Sequence, residues 1–146
     1  MLSSREQFWQ FSSFAVIGDS QGKRRFPRCT YRGLKVMGKI AYAVDPGMTE
    51  IDGDPAYRDL SALPAPVEAA VLEVAPSETA AWVRQIADAG IRNLWIHWGT
   101  ETPEALALAA EKGMRVETGT CAAMYVNHGL NLHSPHRWIM KLLRRY

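Results

Sequence analysis

Residues 14–26 read FAVIGDSQGKRRF, and this passage from an apolar run into a basic loop decides the fold. An apolar run that stops at Gly18 is typical of a short strand buried on both faces of a sheet. Similar runs recur along the chain, and stretches with helical periodicity separate most of them. The predicted strands cover residues 14–17, 40–44, 69–74, 94–98 and 114–117. The predicted helices lie at 31–37, between Ser77 and Gly90, and between Thr102 and Gly113.

Parallel strands with helices between them need right-handed crossovers, which place helices on both faces of the sheet. The sequence therefore predicts one doubly wound, Rossmann-like α/β domain over residues 1–132, with five parallel strands in the order 3-2-1-4-5. Residues 133–146 are predicted to add a basic amphipathic C-terminal helix with Trp138, Leu142 and Tyr146 on its apolar face. We expect the domain itself or the second subunit of a homodimer to cover that face. An anionic membrane surface or a partner protein is the alternative.

Composition and charge exclude several classes of protein. A hydrophobic content of 47% with 22% charged residues is typical of a compact globular chain. No apolar stretch approaches 18 residues, so no membrane span is predicted, and no signal peptide is recognisable. Cys29 and Cys121 are too few for a disulfide framework, which favours a cytoplasmic location. A net charge of +2 is small for a nucleic-acid-binding domain. His128, His133 and His136 do not match a zinc spacing, so no metal site is predicted.

The loop after the first predicted strand carries the clearest chemical signal. Gly18 and Gly22 let a ligand approach the backbone, and Lys23, Arg24 and Arg25 add three positive charges. Anions are stabilised at helix N-termini, and guanidinium groups bind phosphate through paired hydrogen bonds. The loop matches neither the GxGxxG fingerprint nor a P-loop. We therefore favour a phosphate site, with a solvated basic turn as the alternative.

Three later loops are expected to share the site. Ligands of doubly wound sheets bind where the strand order reverses, at the carboxyl ends of the strands. Residues 18–30, 45–47, 75–77 and 98–102 all follow predicted strands. A nucleotide-containing ligand is therefore predicted to lie across these loops.

An ordered set of short motifs resembles the CoA-binding domain family, the small stand-alone proteins related to the nucleotide domain of succinyl-CoA synthetase. The resemblance covers roughly residues 12–126, and it depends on the order and spacing of the whole set. The motifs are Phe14–Gly18, Lys23–Phe26, Tyr31–Arg32, Val44–Pro46, Gly53, Tyr57, Leu60–Pro64, Val74–Pro76, Leu94–Gly99 and Gly119–Tyr125.

The resemblance implies a Rossmann-like fold with coenzyme A at the carboxyl ends of the strands. For the phosphates of CoA it implies a polar and basic set in the first loop: Ser20, Lys23, Arg24 and Arg25. For the adenosine and the pantetheine arm it implies residues that follow the later strands: Val44, Pro46, Ala75, Pro76, Trp98 and Gly99.

Asp45 leaves the identity of the ligand open. An acidic residue at the end of the second strand can accept hydrogen bonds from a ribose diol, which favours NAD or another adenine nucleotide. The same carboxylate would repel the 3′-phosphate of CoA unless Arg24 or Arg25 intervenes. Alternatively, Asp45 only caps the Asp45-Pro46-Gly47 turn.

Two classes of function follow from these residues. The first is a non-catalytic module that binds CoA or an acyl-CoA as a sensor, carrier or regulatory subunit. The second is an enzyme, either an NAD-dependent oxidoreductase or an acyl-CoA enzyme that uses Cys121. A catalytic thiol needs a base, and nothing in the sequence pairs Cys121 with His97 or His128. We therefore favour the binding module.

Overall fold

The computed structural model describes residues 1–22 and 24–126. Its helices are α1 (Ser4–Phe8), α2 (Arg28–Val36), α3 (Pro76–Asp88), α4 (Pro103–Glu111) and α5 (Ala123–Val126). Its strands are β1 (Ser13–Ile17), β2 (Ile40–Val44), β3 (Glu50–Ile51), β4 (Asp54–Tyr57), β5 (Ala69–Leu72), β6 (Asn93–Ile96) and β7 (Arg115–Glu117), and a 3-10 turn spans Leu60–Ala62. Lys23 lies outside the described residues. The same holds for the predicted domain boundary at residue 132, the predicted C-terminal helix and the predicted homodimer contact.

The strands form one mostly parallel sheet in the order β3-β4-β2-β1-β5-β6-β7. The five predicted strands are present and run parallel, which confirms the Rossmann-like α/β class. The predicted count of five was wrong, and so was the predicted position of the third strand; the predicted pairs of β1 with β2 and of β6 with β7 are present. Residues 69–74 were expected beside the second strand, whereas β5 pairs with β1, Phe14 opposite Ala69. The position beside β2 belongs instead to β4, a strand that the prediction missed.

The missed strand belongs to a short hairpin at the edge of the sheet. β4 contains Pro55, and its other residues are partly exposed, so it forms no apolar run. Proline also argues against a central strand, because it cannot donate a hydrogen bond to a neighbouring strand. Asp52 and Gly53 join β3 to β4 with φ angles of 51° and 84°, the positive values that a two-residue hairpin turn requires. Asp-Gly is itself a strong hairpin signal, so this element could have been predicted.

Helix α2 is tied to the hairpin by charged side chains. The guanidinium of Arg32 donates to both carboxylate oxygens of Asp52 at 2.7 Å. The carboxylate of Asp54 accepts from the Tyr31 hydroxyl at 2.6 Å and from Lys35 at 3.0 Å. These two hydrogen bonds hold the pKa of Asp54 below its usual range. The contacts fix α2, and with it the end of the loop that follows β1.

The sheet is covered on both faces by separate apolar clusters. Phe14 and Val16 of β1 pack on the face covered by α1, α2 and α5. Ala15 and Ile17 point to the face covered by α3 and α4. The N-terminal segment contributes Trp9, whose ring lies 4.8 Å from the ring of Trp95. In the described part of the chain, no helix is long and apolar enough to cross a bilayer.

Candidate functional site

The segments that follow β1, β2, β5 and β6 meet at the carboxyl edge of the sheet, as the sequence predicted. Backbone hydrogen bonds between neighbouring strands continue one residue past the ends of these strands. The N–H of Gly18 donates to the carbonyl of Val44 at 3.0 Å, and the N–H of His97 donates to the carbonyl of Leu72 at 3.0 Å. The backbone N–H of Glu73 donates to the carbonyl of Ile17 at 3.0 Å in the same way. The side chains immediately after these bonds are therefore held in defined positions.

Asp45 organises the loop after β1. Its side chain is fully buried, and its carboxylate accepts hydrogen bonds from the backbone N–H of Ser20 at 2.9 Å and from the Ser20 hydroxyl at 2.9 Å. The N–H of Gly47 also donates to it at 2.8 Å, which closes the Asp-Pro-Gly turn. The carboxylate therefore joins two loops, and a ribose contact with Asp45 remains a prediction that would have to displace these donors.

Two glycines are required by this loop packing. A Cβ atom at Gly18 would lie 2.8 Å from Cδ of Pro27, where the loop returns across the end of β1. A Cβ atom at Gly47 would collide with Oγ of Ser20 and would lie 2.7 Å from Cγ of Gln21. Gly18 thus allows the two ends of the loop to pack against each other, and Gly47 allows the loop to pack against the turn after β2.

Gly47→Ala should displace residues 20–21 and weaken ligand binding several-fold. The added methyl group has no space, so the loop must shift at a cost of about 1 kcal/mol. Gly22→Ala is the matched control, because its Cβ atom would meet nothing closer than 3.4 Å. Isothermal titration with CoA and thermal unfolding of both variants measure the effect. Equal affinities of the two variants would contradict this role of Gly47.

The basic part of the loop borders a cavity of about 410 Å³, which we call the loop cavity. Ser20, Arg25 and Arg28 supply its polar lining, and Phe26 and Met48 supply its apolar lining. Arg25 is exposed, Arg24 is half-buried, and Arg28 is the first residue of α2. Arg28 was not among the predicted site residues, because the start of this helix was expected at residue 31.

Acidic residues lie on the other side of the same loop. Gly22 approaches the carboxylate of Glu78, near the N-terminus of α3. Burial raises the pKa of Glu78, and the charge of Asp19 together with a hydrogen bond between the two side chains raises it further. A phosphate would be repelled on this side, so any phosphate site belongs on the side of the loop cavity.

A second cavity, of about 280 Å³, adjoins the first, and we call it the histidine cavity. Phe26 and Arg28 line both cavities. Besides Arg28, the polar part of its lining is Thr30, Glu73 and His97. The remaining lining is soft or apolar and includes Pro27, Cys29, Cys121 and Ala123.

Glu73 and His97 form the buried ionisable pair of the histidine cavity. Oε1 of Glu73 lies 2.9 Å from Nδ1 of His97, and the hydroxyl of Thr30 donates to the same oxygen at 3.4 Å. Glu73 is only 6% exposed. Glu73 was not among the predicted site residues. A glutamate at the end of an otherwise apolar strand is nevertheless a recognisable signal, because buried carboxylates need a partner.

Cys121 lines the histidine cavity as a neutral thiol. Burial is the largest cause that raises the pKa of Cys121, and the charge of Glu73 contributes in the same direction. Reactive cysteines have a lowered pKa. The alternative of an acyl-CoA enzyme with Cys121 as its nucleophile therefore gains no support from this environment.

The other predicted ligand residues occupy varied positions. Val44 is fully buried in the core and presents no side-chain surface at the edge. Pro46 is half-buried in the turn after β2, and Ala75 and Pro76 begin α3. Trp98 is 59% exposed in the loop after β6. Gly99 follows it with φ of +80°, a turn conformation that favours glycine.

No group of three metal-ligating side chains occurs among residues 1–22 and 24–126.

Comparisons with solved structures support the fold. A hypothetical protein from Pyrococcus horikoshii OT3 is 26% identical with a TM-score of 0.73, over 83% of this chain and 85% of that one. The structure of cell-free ID.343 from Thermus thermophilus is 21% identical with a TM-score of 0.68, over 92% and 95%. The dinucleotide forming acetyl-coenzyme A synthetase 1 of Ca. Korarchaeum cryptofilum is 22% identical with a TM-score of 0.62, over 76% of this chain and 26% of that one.

No curated protein matched the chain in sequence. The comparison with protein families did find a match, to the CoA binding domain, over residues 12–127. The matched region includes the loop after β1, the turn after β2 and the histidine cavity. Because it spans most of the sequence, the chain belongs to the CoA binding domain family.

Proposed function

We propose that this domain binds coenzyme A or an acyl-CoA as a non-catalytic sensor, carrier or regulatory module. The observation that carries the proposal is the loop cavity, which combines Arg25 and Arg28 with the N-terminal turn of α2. Free backbone N–H groups and guanidinium groups at a helix N-terminus are the donors that a diphosphate needs. Membership of the CoA binding domain family supports CoA as the ligand that carries this diphosphate.

The two adjoining cavities match the shape of a ligand with a charged middle and a long arm. With its diphosphate in the loop cavity, CoA can extend its pantetheine arm past Phe26 and Arg28 into the histidine cavity. The arm is an uncharged chain with two amide groups, and the soft lining by Cys29, Cys121 and Ala123 suits it. NAD carries a nicotinamide riboside in place of this arm, a group that is wider and more polar than the pantetheine chain.

A non-catalytic role is favoured by the state of the reactive groups. Cys121 is held as a neutral thiol by burial, and Asp45 is engaged by Ser20 and Gly47. Cys29 and Cys121 are both free thiols, which supports the proposal of a reducing, cytoplasmic location.

Native mass spectrometry of the purified protein, followed by isothermal titration with CoA and NAD, tests the proposal. We expect CoA to bind at one site per chain and NAD to bind more weakly or not at all. Incubation with an acyl-CoA should leave the thioester intact, as measured by liquid chromatography. Tighter binding of NAD than of CoA would contradict the ligand, and turnover of the thioester would contradict the non-catalytic role.

A further inference from the structure

The histidine cavity contains one polar atom whose use nothing described so far explains. Nδ1 of His97 lies 2.9 Å from the Glu73 carboxylate, whereas Nε2 makes no hydrogen bond to any of the described residues. The backbone of His97 is held on both sides, because its N–H donates to Leu72 and its carbonyl accepts from Thr100. The imidazole is therefore held in place with one nitrogen available to a ligand.

The chemistry of that nitrogen follows from its partner. A carboxylate accepts hydrogen bonds and does not donate them, so Nδ1 is the nitrogen that carries a proton toward Glu73, and in the neutral ring Nε2 carries none. Nε2 is then a hydrogen-bond acceptor. Thr30 donates to the same carboxylate and supports this arrangement. The cavity thus offers this acceptor on a wall that combines the polar residues Arg28, Thr30 and Glu73 with soft and apolar ones.

On the basis of the proposed function, we propose that His97 recognises the free thiol of CoA and that the site thereby distinguishes CoA from its thioesters. A free thiol donates a hydrogen bond to Nε2, and it suits a lining that includes Cys29, Cys121 and Ala123. A thioester sulfur carries no proton, so it leaves Nε2 of His97 without a donor. Glu73 is a positioning residue in this scheme, since it sets the tautomer and the ring orientation of His97.

Titrations with three ligands test the proposal. CoA carries the thiol, desulfo-CoA lacks the sulfur, and acetyl-CoA carries a thioester. We expect the unmodified protein to bind CoA up to about tenfold more tightly than either analogue, the upper end of what one hydrogen bond contributes. His97→Leu should remove this preference, so that CoA loses its advantage over desulfo-CoA and acetyl-CoA.

A second variant protects the test against misfolding. His97→Leu leaves the carboxylate of Glu73 buried without its partner, which is costly, whereas replacing both members of a buried pair is often tolerated. Glu73→Met/His97→Leu should therefore fold and should also bind the three ligands equally. Glu73→Gln, tested in the same way, should reduce the ratio of the affinity for CoA to the affinity for desulfo-CoA, because the amide no longer fixes the tautomer of His97.

The possible outcomes separate this inference from the proposed function. Equal binding of all three ligands by the unmodified protein overturns the thiol proposal and leaves CoA binding intact. Tighter binding of acetyl-CoA than of CoA, or a thiol preference that survives in the double variant, overturns it as well. Failure of all three ligands to bind contradicts CoA binding itself and, with it, this inference.

Discussion

Replacing Arg24 and Arg25 together by alanine should weaken CoA binding by about tenfold to several hundredfold. Each exposed contact between a cation and a phosphate contributes about 1 kcal/mol, and a contact removed from water contributes more. Arg25 lines the loop cavity. Arg24 precedes it in the same loop and is half-buried. The double variant therefore removes two positive charges from the loop that borders the proposed phosphate site.

The matched control for this variant is Arg84→Ala/Arg115→Ala. It removes the same two charges from exposed positions away from the loop, since Arg84 lies within α3 and Arg115 begins β7 at the opposite edge of the sheet. Isothermal titration at two salt concentrations should show a weak, salt-insensitive residual affinity for Arg24→Ala/Arg25→Ala only. If both double variants bind CoA as the unmodified protein does, the phosphate site is not at this loop.

Asp45→Ala should lower both the free energy of unfolding and the affinity for CoA. The change leaves the N–H groups of Ser20 and Gly47 without their buried acceptor, and hydrogen bonds to a charged group contribute about 1.5–3 kcal/mol. The loop after β1 can then move away from the turn after β2, and Ser20 and the arginines that follow it lose their defined positions. Chemical denaturation and isothermal titration measure the two effects.

Two further variants distinguish this role from a direct contact with the ribose. Asp59→Ala is the structural control, because Asp59 accepts from Ser61 in a similar turn but is exposed. It should cost less stability and should leave CoA affinity unchanged. Asp45→Asn removes the charge but keeps an acceptor oxygen for part of this network. If it strengthens CoA binding and weakens NAD binding at unchanged stability, Asp45 acts on the ligand and not on the loop.

The strands that could be predicted from the sequence are those with a local signal. β1, β2, β5 and β6 are apolar runs, and apolar runs of this length predict strands buried on both faces wherever they occur. The start of α4 could also be predicted from the sequence. The Thr102 hydroxyl accepts from the N–H of Ala105, and Pro103 occupies the first position of the helix. β4 was missed because Pro55 and its partly exposed neighbours form no apolar run, and the position beside β2 was then assigned to residues 69–74.

The sequence by itself determined the α/β class, the parallel strands and a basic loop at the carboxyl edge, because periodicity, capping and charge are local properties of the chain. Only the tertiary structure decided which strands are neighbours and which side chains meet. Asp45 contacts Ser20, and Glu73 contacts His97, across separations of 25 and 24 residues. Such pairs depend on how the strands are ordered in the sheet, and the order follows from packing over the whole domain rather than from any local pattern.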